Sequence, residues 1–474
     1  MMNFNKYFDI FKISEQDLNR LIGTALNNGG DYADLYFENT YSSNINLIDS
    51  EVSSGGIYVD YGAGIRVLNG DKTGYAYSET TDMQSLMSAA KSASIIANGY
   101  TGNIPIMNST IYKDCINNFY PSKMDWNEVK MKEFTPFLKS LGSMIESKDE
   151  RVIKVAAYLA YSTSHILMYN SFGELSCDYR PICSVSCSAV FTENGKTETK
   201  SASRSFRMGA EMLNEDLLNE LVNDVLKGVD DKFIARRPKG GEMPIVMAAG
   251  ASGILLHEAM GHSFEADFIR KGQSIFTDKI GELVCNTDIN IVDDGTIIGN
   301  RGSCNFDDEG IEGQKTYMVK DGVLNSYLHD RISAKHFGVS PTGNGRRESF
   351  RYYPIPRMRA TYMENGKEDP AEIIRSVKQG IYVSDFSNGQ VKIGEGDFTF
   401  YVQGGYMIED GKLTYPIKDI NVIGNGPKAL ADIIAVGNDK KIDNGTWTCG
   451  KDQSAYVSCG IPTVLVKNLI VGGE

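Results

Sequence analysis

The chain has 474 residues, of which 41% are hydrophobic and 23% are charged. This composition is typical of a globular protein that is large enough for two domains. The formal net charge of −13 argues against a general nucleic-acid partner and against binding to an anionic membrane surface, because both require a basic footprint.

The sequence gives no sign of export or membrane insertion. No apolar run approaches the length of a membrane-spanning helix, and the first residues lack the apolar segment of a signal peptide, so we expect a cytoplasmic protein. The eight cysteines include no Cys-x-x-Cys pair, and we expect reduced thiols, most of them small buried side chains.

The first half of the chain combines helical and strand patterns. Ser14 to Asp17 resembles a capping box and predicts the start of a helix. Helical spacing recurs over residues 83–97, 125–145 and 216–226. Alternating apolar residues predict strands at 32–38, 57–61, 64–68 and 73–77, and then a meander over 152–193.

A change of composition separates the two halves. The segment from Arg236 to Gly241 is charged, then rich in Pro and Gly, and has no periodicity, so we expect a linker there. We therefore predict an N-terminal domain of residues 1–235 and a C-terminal domain of residues 240–474.

The second half is rich in short strands. They are predicted at 245–248, 316–319, 322–328, 361–364, 381–383, 390–393, 399–402, 406–408, 412–415, 421–423 and 463–466, with helices at 371–378 and 428–436. The fold class predicted from this order is α+β: an N-terminal antiparallel sheet with helices, and a mostly antiparallel, barrel-like C-terminal domain that carries the helix described next.

That helix contains two of the five histidines, in the stretch His257-Glu258-Ala259-Met260-Gly261-His262. A hydrolytic zinc site needs neutral imidazoles and a nearby carboxylate, and the stretch supplies both. On a regular helix of ~3.6 residues per turn the two imidazoles would point about 140° apart. They can share a metal only if the helix widens or breaks, so we predict a π-bulge or break at Met260–Gly261, with Glu258 facing solvent or substrate.

A structural interpretation of the same stretch is also open. Glu258 and His262, four residues apart, could form an ordinary surface pair, and His257 could be a core histidine. A third metal ligand is not identified by spacing: the candidates are Glu265, Asp267, His329, His336 and several cysteines. Cys449 lies in a polar, Gly-containing loop, where Lys451 could favour the thiolate that a metal requires.

A second polar segment begins at Pro341 and contains Gly343, Gly345, Arg346 and Arg347. Its guanidinium groups could hold a substrate carboxylate through paired hydrogen bonds, which makes Arg346 and Arg347 candidate substrate-binding residues. Alternatively, these arginines pair with local acids in this acidic protein.

Taken in order, several segments resemble the TldD-type zinc metallopeptidases of the TldD/PmbA (TldE) family. The resemblance covers nearly the whole chain and rests on residues 31–38, 64–78, 257–262, 268–272, 307–310, 341–349 and 449–453. The family motif His-Glu-x-x-x-His is matched at His257, Glu258 and His262. The family's cysteine ligand, in a Cys-Gly-Lys segment, falls on Cys449; a second cysteine nearby, Cys459, departs from the expected pattern.

The resemblance implies a fold, a metal and a substrate class. His257, His262 and Cys449 would bind Zn²⁺. Glu258 would act as the general base in the cleavage of unfolded or extended peptides. It also implies a homodimer, or a heterodimer with an inactive PmbA/TldE-like paralogue. Two alternatives stay open: a partner protein that holds peptides without cutting them, and a zinc hydrolase acting on a small amide.

Overall fold

The computed structural model describes residues 3–100, 102 and 109–472, without the side chains of residues 387 and 388. Its N-terminal half is built on one seven-stranded sheet with the strand order β3-β2-β1-β5-β6-β4, and β7 also pairs with β6. The strands are β1 (Tyr32–Ile48), β2 (Glu51–Asn69), β3 (Lys72–Ser78), β4 (Ile111–Lys113), β5 (Val152–Asn170), β6 (Glu174–Glu193) and β7 (Lys196–Phe206).

Helices cover one face of this sheet in two groups. Alternate residues of β1 point to that face: Leu35 and Phe37 pack under the first group, and Ile45 and Leu47 under the second. The first group is α1 (Phe4–Phe11), α2 (Glu15–Ala25) and α3 (Met83–Ser94); the second is α4 (Thr135–Lys148), α5 (Glu215–Leu226) and α6 (Val229–Ile234). The capping box predicted at Ser14 is confirmed, because its side chain and that of Asp17 each accept from the other's backbone N–H.

The C-terminal half contains a small closed barrel. Its strands follow the order β15-β8-β24-β18-β16, and β16 pairs back with β15. They are β8 (Gly241–Met247), β15 (Gln379–Lys392), β16 (Asp397–Glu409), β18 (Ile420–Asn425) and β24 (Val464–Gly472), with β17 (Lys412–Ile417) and β19 (Ile433–Val436) attached at the sides. The predicted α+β fold with a barrel-like second half is therefore confirmed.

A second sheet packs beside the barrel in the order β11-β10-β9-β14-β23-β20. Its strands are β9 (Ile291–Asp294), β10 (Lys315–Lys320), β11 (Val323–Leu324), β14 (Ala360–Met363), β20 (Lys441–Asp443) and β23 (Ser458–Ile461). Two short hairpins complete the half: β12 (Gly345–Arg346) with β13 (Ile355–Pro356), and β21 (Thr448–Lys451) with β22 (Gln453–Tyr456).

The remaining helices are short. They are α7 (Ile254–Leu256), α8 (Ala266–Arg270), α9 (Arg331–Phe337), α10 (Pro370–Arg375) and α11 (Gly426–Ala431). None of the helices in the described part of the chain has the length and apolarity needed to cross a bilayer. The helix predicted over 428–436 is wrong in its second half, because Ile433–Val436 forms β19 and pairs with β24.

The two halves meet across the free face of the N-terminal sheet. Tyr36, Ile166 and Met168 on that face pack against Phe306 and Phe350 of the C-terminal half. The helices of the N-terminal half and the barrel core thus lie on opposite sides of this junction, and the polar side chains considered below line it.

Candidate metal centre

The backbone changes helical type where the two histidines occur. A short α-helical turn, Ile254–Leu256, passes into a π-helical turn, His257–Gly261, and then into a 3-10 turn, His262–Phe264. The His262 backbone N–H donates to the His257 carbonyl, five residues earlier, and this widened turn brings both imidazoles to one side. The predicted widening is confirmed; it spans the whole of His257–Gly261 and not only its last two residues.

Close packing explains why glycine occupies the end of this turn. A β-carbon at Gly261 would lie 2.2 Å from the Met358 sulfur and 3.3 Å from the Leu256 carbonyl. The end of the π-turn therefore packs directly against Met358, whose own backbone N–H donates to Glu265.

Three ligand atoms converge at this turn. The Cys449 sulfur lies 3.2 Å from His257 Nε2 and 3.2 Å from His262 Nε2, and the three atoms are all within 4.8 Å of one another. In a tetrahedral zinc site, with Zn–S about 2.3 Å and Zn–N about 2.0 Å, neighbouring ligand atoms are roughly 3.5 Å apart. The observed spacing is close to that geometry, and all three side chains are buried.

The surroundings of Cys449 favour the deprotonated form of its thiol. Burial raises the pKa of the Cys449 thiol, but the charges and hydrogen bonds of His257 and His262 outweigh burial and lower the pKa to about 4. The sulfur is therefore a thiolate at neutral pH, the form that binds metals. Lys451, which we expected to favour this thiolate, lies 3.0 Å from Glu265 and 2.7 Å from Asp267, and the largest effects that lower the pKa of Cys449 come from the two histidines.

Glu265 holds the second imidazole from behind. Its fully buried carboxylate lies 3.0 Å from His262 Nδ1 and accepts a hydrogen bond from the Met358 N–H at 3.3 Å. Burial alone would raise the pKa of Glu265, but the charges of Lys451 and His262 hold it far below its usual range. A carboxylate on Nδ1 directs Nε2 towards the ligand cluster, a common arrangement behind metal-bound histidines.

The other candidates for the third ligand are accounted for. Glu265 and Asp267 accept from His262 and Lys451 and are not among the converging ligand atoms. His329 lies near Ser333, and His336 lies 3.4 Å from Asp71. The Cys459 sulfur is 3.9 Å from the Ala251 carbonyl, and burial raises the pKa of its thiol well above the usual value.

The hairpin that carries Cys449 is fixed by one buried arginine. Cys449 pairs with Ala455 across the β21–β22 hairpin. The Arg357 guanidinium, 1% exposed, donates to the carbonyls of Cys449, Lys451 and Gln453. The sequence pattern alone does not assign this role to Arg357.

A cavity of about 490 Å³ opens at the cluster. His257, Glu258, His262 and Cys449 line this cavity together with residues of β15 and its extension, which are Gly389, Gln390, Val391 and Ile393. Glu258 is half-buried and faces this space, as predicted. A β-carbon at Gly389 would lie 3.0 Å from Glu258 Cγ, so the glycine leaves room for the carboxylate arm.

Arg346 and Arg347 lie elsewhere. Both are buried and line a second cavity, at the junction of the two halves, and neither lines the cavity of the histidines. Arg346 donates to the carbonyls of Met358 and Tyr456, and Arg347 to the carbonyls of Asp308 and Tyr352. Their role as substrate-binding residues stays a prediction.

Comparison with known proteins identifies the family of this chain. Models of domain 1, the central domain and the C-terminal domain of PmbA/TldA metallopeptidases match residues 33–97, 125–235 and 240–473. TldD homologues described as metalloproteases from Buchnera aphidicola and Haemophilus influenzae are each 37% identical, over 98% and 97% of this chain and 97% of each relative. The chain belongs to the TldD/PmbA metalloprotease family.

Solved structures share the TldD/PmbA fold. A Thermotoga maritima protein described as a candidate modulator of DNA gyrase has a TM-score of 0.77 at 22% identity, covering 97% of this chain and 100% of that one. TldE from Thermococcus kodakarensis has a TM-score of 0.74 at 17% identity, covering 96% of this chain and 100% of that one. The division of this family member into two domains at residues 235–240 stays a prediction.

Proposed function

We propose that this TldD/PmbA metalloprotease is a zinc-dependent peptidase that cleaves unfolded or extended peptides. The observation that carries the proposal is the convergence of two imidazoles and a thiolate in a cavity that also exposes a strand edge. A relative from Saccharolobus solfataricus, 32% identical over 54% of this chain and 57% of its own length, is described as a zinc metalloprotease.

The donor set fits zinc. Two imidazole nitrogens, which give up any proton when the metal binds, and one thiolate are ligands that zinc accepts, and three protein ligands leave a fourth position for water or substrate. His257, His262 and Cys449 would hold the ion, which when bound lowers the pKa of water and polarises the scissile carbonyl. Glu265 would keep the His262 imidazole oriented towards the ion.

Glu258 is proposed as the general base. Its carboxylate faces the cavity beside the ligand cluster, where the attacking water would lie. There it accepts the proton of that water and then delivers it to the nitrogen of the leaving amine.

The substrate class follows from the strand edge. Residues 389–392 of β15 pair with β16 on one side, and among the described strands no other pairs with them, although β8 pairs with residues 381–383. An extended peptide could add to this edge through main-chain hydrogen bonds, with little dependence on sequence. We infer that unstructured chains are bound in this way.

The partner is proposed from family relationship. We infer a homodimer, or a heterodimer with a PmbA/TldE-like paralogue, because the fold is shared with a TldE structure. We also propose that the protein works in the cytoplasm, without a nucleic-acid or membrane partner, in keeping with its acidic composition.

The deciding experiment compares wild type and Glu258→Gln on a long disordered peptide, with products identified by mass spectrometry and zinc measured in the same samples. We expect wild type to release fragments and the variant to bind zinc without cutting. Zinc binding without turnover in wild type would favour a peptide-holding protein. Cleavage of small amides alone would favour the small-molecule hydrolase.

A further inference from the structure

The second cavity, of about 190 Å³, lies between the free face of the N-terminal sheet and the C-terminal half. Five arginines line it: Arg180, Arg207, Arg346, Arg347 and Arg359. Their relative exposure is low, since the last four are 8%, 7%, 8% and 4% exposed. This is a large amount of positive charge around a small internal space in a protein with a net charge of −13.

Three of these guanidinium groups form no ion pair with a described residue. Within the described ranges, no carboxylate oxygen lies within 4.0 Å of the side-chain nitrogens of Arg207, Arg346 or Arg359. Their hydrogen bonds go to backbone carbonyls instead: Arg207 to Arg301, Arg346 to Met358 and Tyr456, Arg359 to Gly343 and Gly302. Carbonyls satisfy the N–H groups but do not neutralise the charge.

The acids around the cavity are committed to other groups. Asp308 pairs with Arg180 at 2.5 Å, and Arg180 also contacts Asp178 at 2.8 Å. Glu38 accepts from the Phe350 N–H at 2.8 Å, and burial raises its pKa to about 7, so it is only partly charged at neutral pH. The remaining acid, Glu348, is exposed and accepts from the Ser454 N–H.

This arrangement lowers the pKa of two of the arginines. Burial, together with the nearby charges of Arg359 and Arg357, lowers the pKa of Arg346 to about 9. Burial likewise lowers the pKa of Arg207. A buried cation without a counter-charge is unfavourable unless an anion joins it. If the arginines were purely structural, no open space between them would be needed. The cavity is present, and hydroxyl-bearing side chains such as Ser162 also line it.

We propose that this cavity binds a small oxyanion, of the carboxylate or phosphate type, held by Arg207, Arg346 and Arg359. Planar guanidinium groups are suited to both chemistries because each presents parallel N–H donors. Arg346 donates to the Tyr456 carbonyl, and Tyr456 pairs with Thr448, the residue before Cys449. The anion site therefore adjoins the back of the hairpin that carries the cysteine of the candidate metal centre.

The test adds a counter-charge to the cavity instead of removing an arginine. Ser162 is half-buried and lines the cavity, so Ser162→Asp supplies an internal carboxylate, and Ser162→Asn is the matched neutral control. Calorimetric titration with inorganic phosphate, at fixed ionic strength, is run on zinc-loaded and on zinc-free protein. We expect one site per chain in wild type and Ser162→Asn, and at least tenfold weaker binding in Ser162→Asp, with or without zinc.

Thermal unfolding without phosphate supplies a second result. Ser162→Asp should unfold at a higher temperature than Ser162→Asn, because its carboxylate compensates the buried charge. Acetate titrations distinguish the source: binding of acetate with the same dependence on the variant indicates a carboxylate ligand, and binding of phosphate alone indicates a phosphate ligand. Absence of binding in wild type, equal phosphate binding by the two variants, or a lower unfolding temperature for Ser162→Asp would overturn the proposal.

Discussion

Glu265 offers a direct test of how the candidate metal centre is held. Replacing Glu265 by Gln keeps the shape of the side chain but removes the charge that faces His262 and Lys451, each 3.0 Å away, and Arg357, 3.7 Å away. The amide would also turn an N–H₂ group towards one of these donors. His262 would then lose the partner that fixes its orientation.

The size of the effect can be worked from these contacts. Loss of a carboxylate behind a metal-bound histidine lowers metal affinity by ~10–100-fold, which corresponds to roughly 1.4–2.7 kcal/mol. Breaking a buried ion pair costs ~3–5 kcal/mol of folding stability. We expect the lower end, about 3 kcal/mol, because Lys451 keeps Asp267 at 2.7 Å and the Pro356 carbonyl at 3.1 Å.

Zinc affinity is measured by competition with a chromophoric chelator, and stability by urea unfolding. Glu258→Gln is the matched control, since it makes the same chemical change in a carboxylate that faces the cavity. In the described part of the chain, Glu258 forms no hydrogen bond or ion pair with the ligand imidazoles. The control should bind zinc as wild type does. A folded Glu265→Gln protein with wild-type zinc affinity would refute the role assigned to Glu265.

Two further predictions follow from the structure. Gly389→Ala introduces a β-carbon 2.7 Å from the Phe400 ring and 3.0 Å from Glu258 Cγ. This substitution should lower kcat at least tenfold while zinc content stays at the wild-type level. An unchanged kcat would mean that β15 does not position Glu258. Glu38→Gln should remove a pH dependence of the free energy of unfolding. Burial raises the pKa of Glu38 from 4.5 to about 7, so the folded state binds the proton more tightly than the unfolded state. The stability that this group contributes is therefore lost as pH rises between those values, by on the order of 3 kcal/mol. The unfolding temperature of Glu38→Gln relative to wild type should therefore increase from pH 5 to pH 8, and a constant difference would contradict this assignment.

Much of the fold could be predicted from local patterns. The alternation of Ala33, Leu35 and Phe37 identified β1, but its continuation to Ile48 was missed. Residues 39–46 are mostly polar, and they are held in the strand by pairing with β2 on one side and β5 on the other. Long-range pairing of this kind leaves little trace in a single segment. The same is true of β19: Ala429, Leu430, Ile433 and Ile434 follow a helical spacing, but Ile433 pairs with Val466 of β24.

The candidate site divides in a similar way. The spacing of His257 and His262 was sufficient to predict a widened helical turn, because a regular helix cannot bring residues five apart to one side. Cys449 is 187 residues from His262, so no local pattern connects them. Its polar loop made Cys449 one candidate among several, and family resemblance selected it. The positions of Glu265 and Arg357 depend on the folded arrangement of the loops and could not be read from spacing.

The central claim is that His257, His262 and Cys449 bind one zinc ion, and X-ray absorption at the zinc edge tests it most directly. The account predicts one sulfur at about 2.3 Å and nitrogen or oxygen ligands at about 2.0–2.1 Å, with the sulfur signal lost in Cys449→Ser and kept in Cys459→Ser. A zinc-loaded wild-type protein without a sulfur ligand, or a sulfur signal that survives Cys449→Ser, would contradict it.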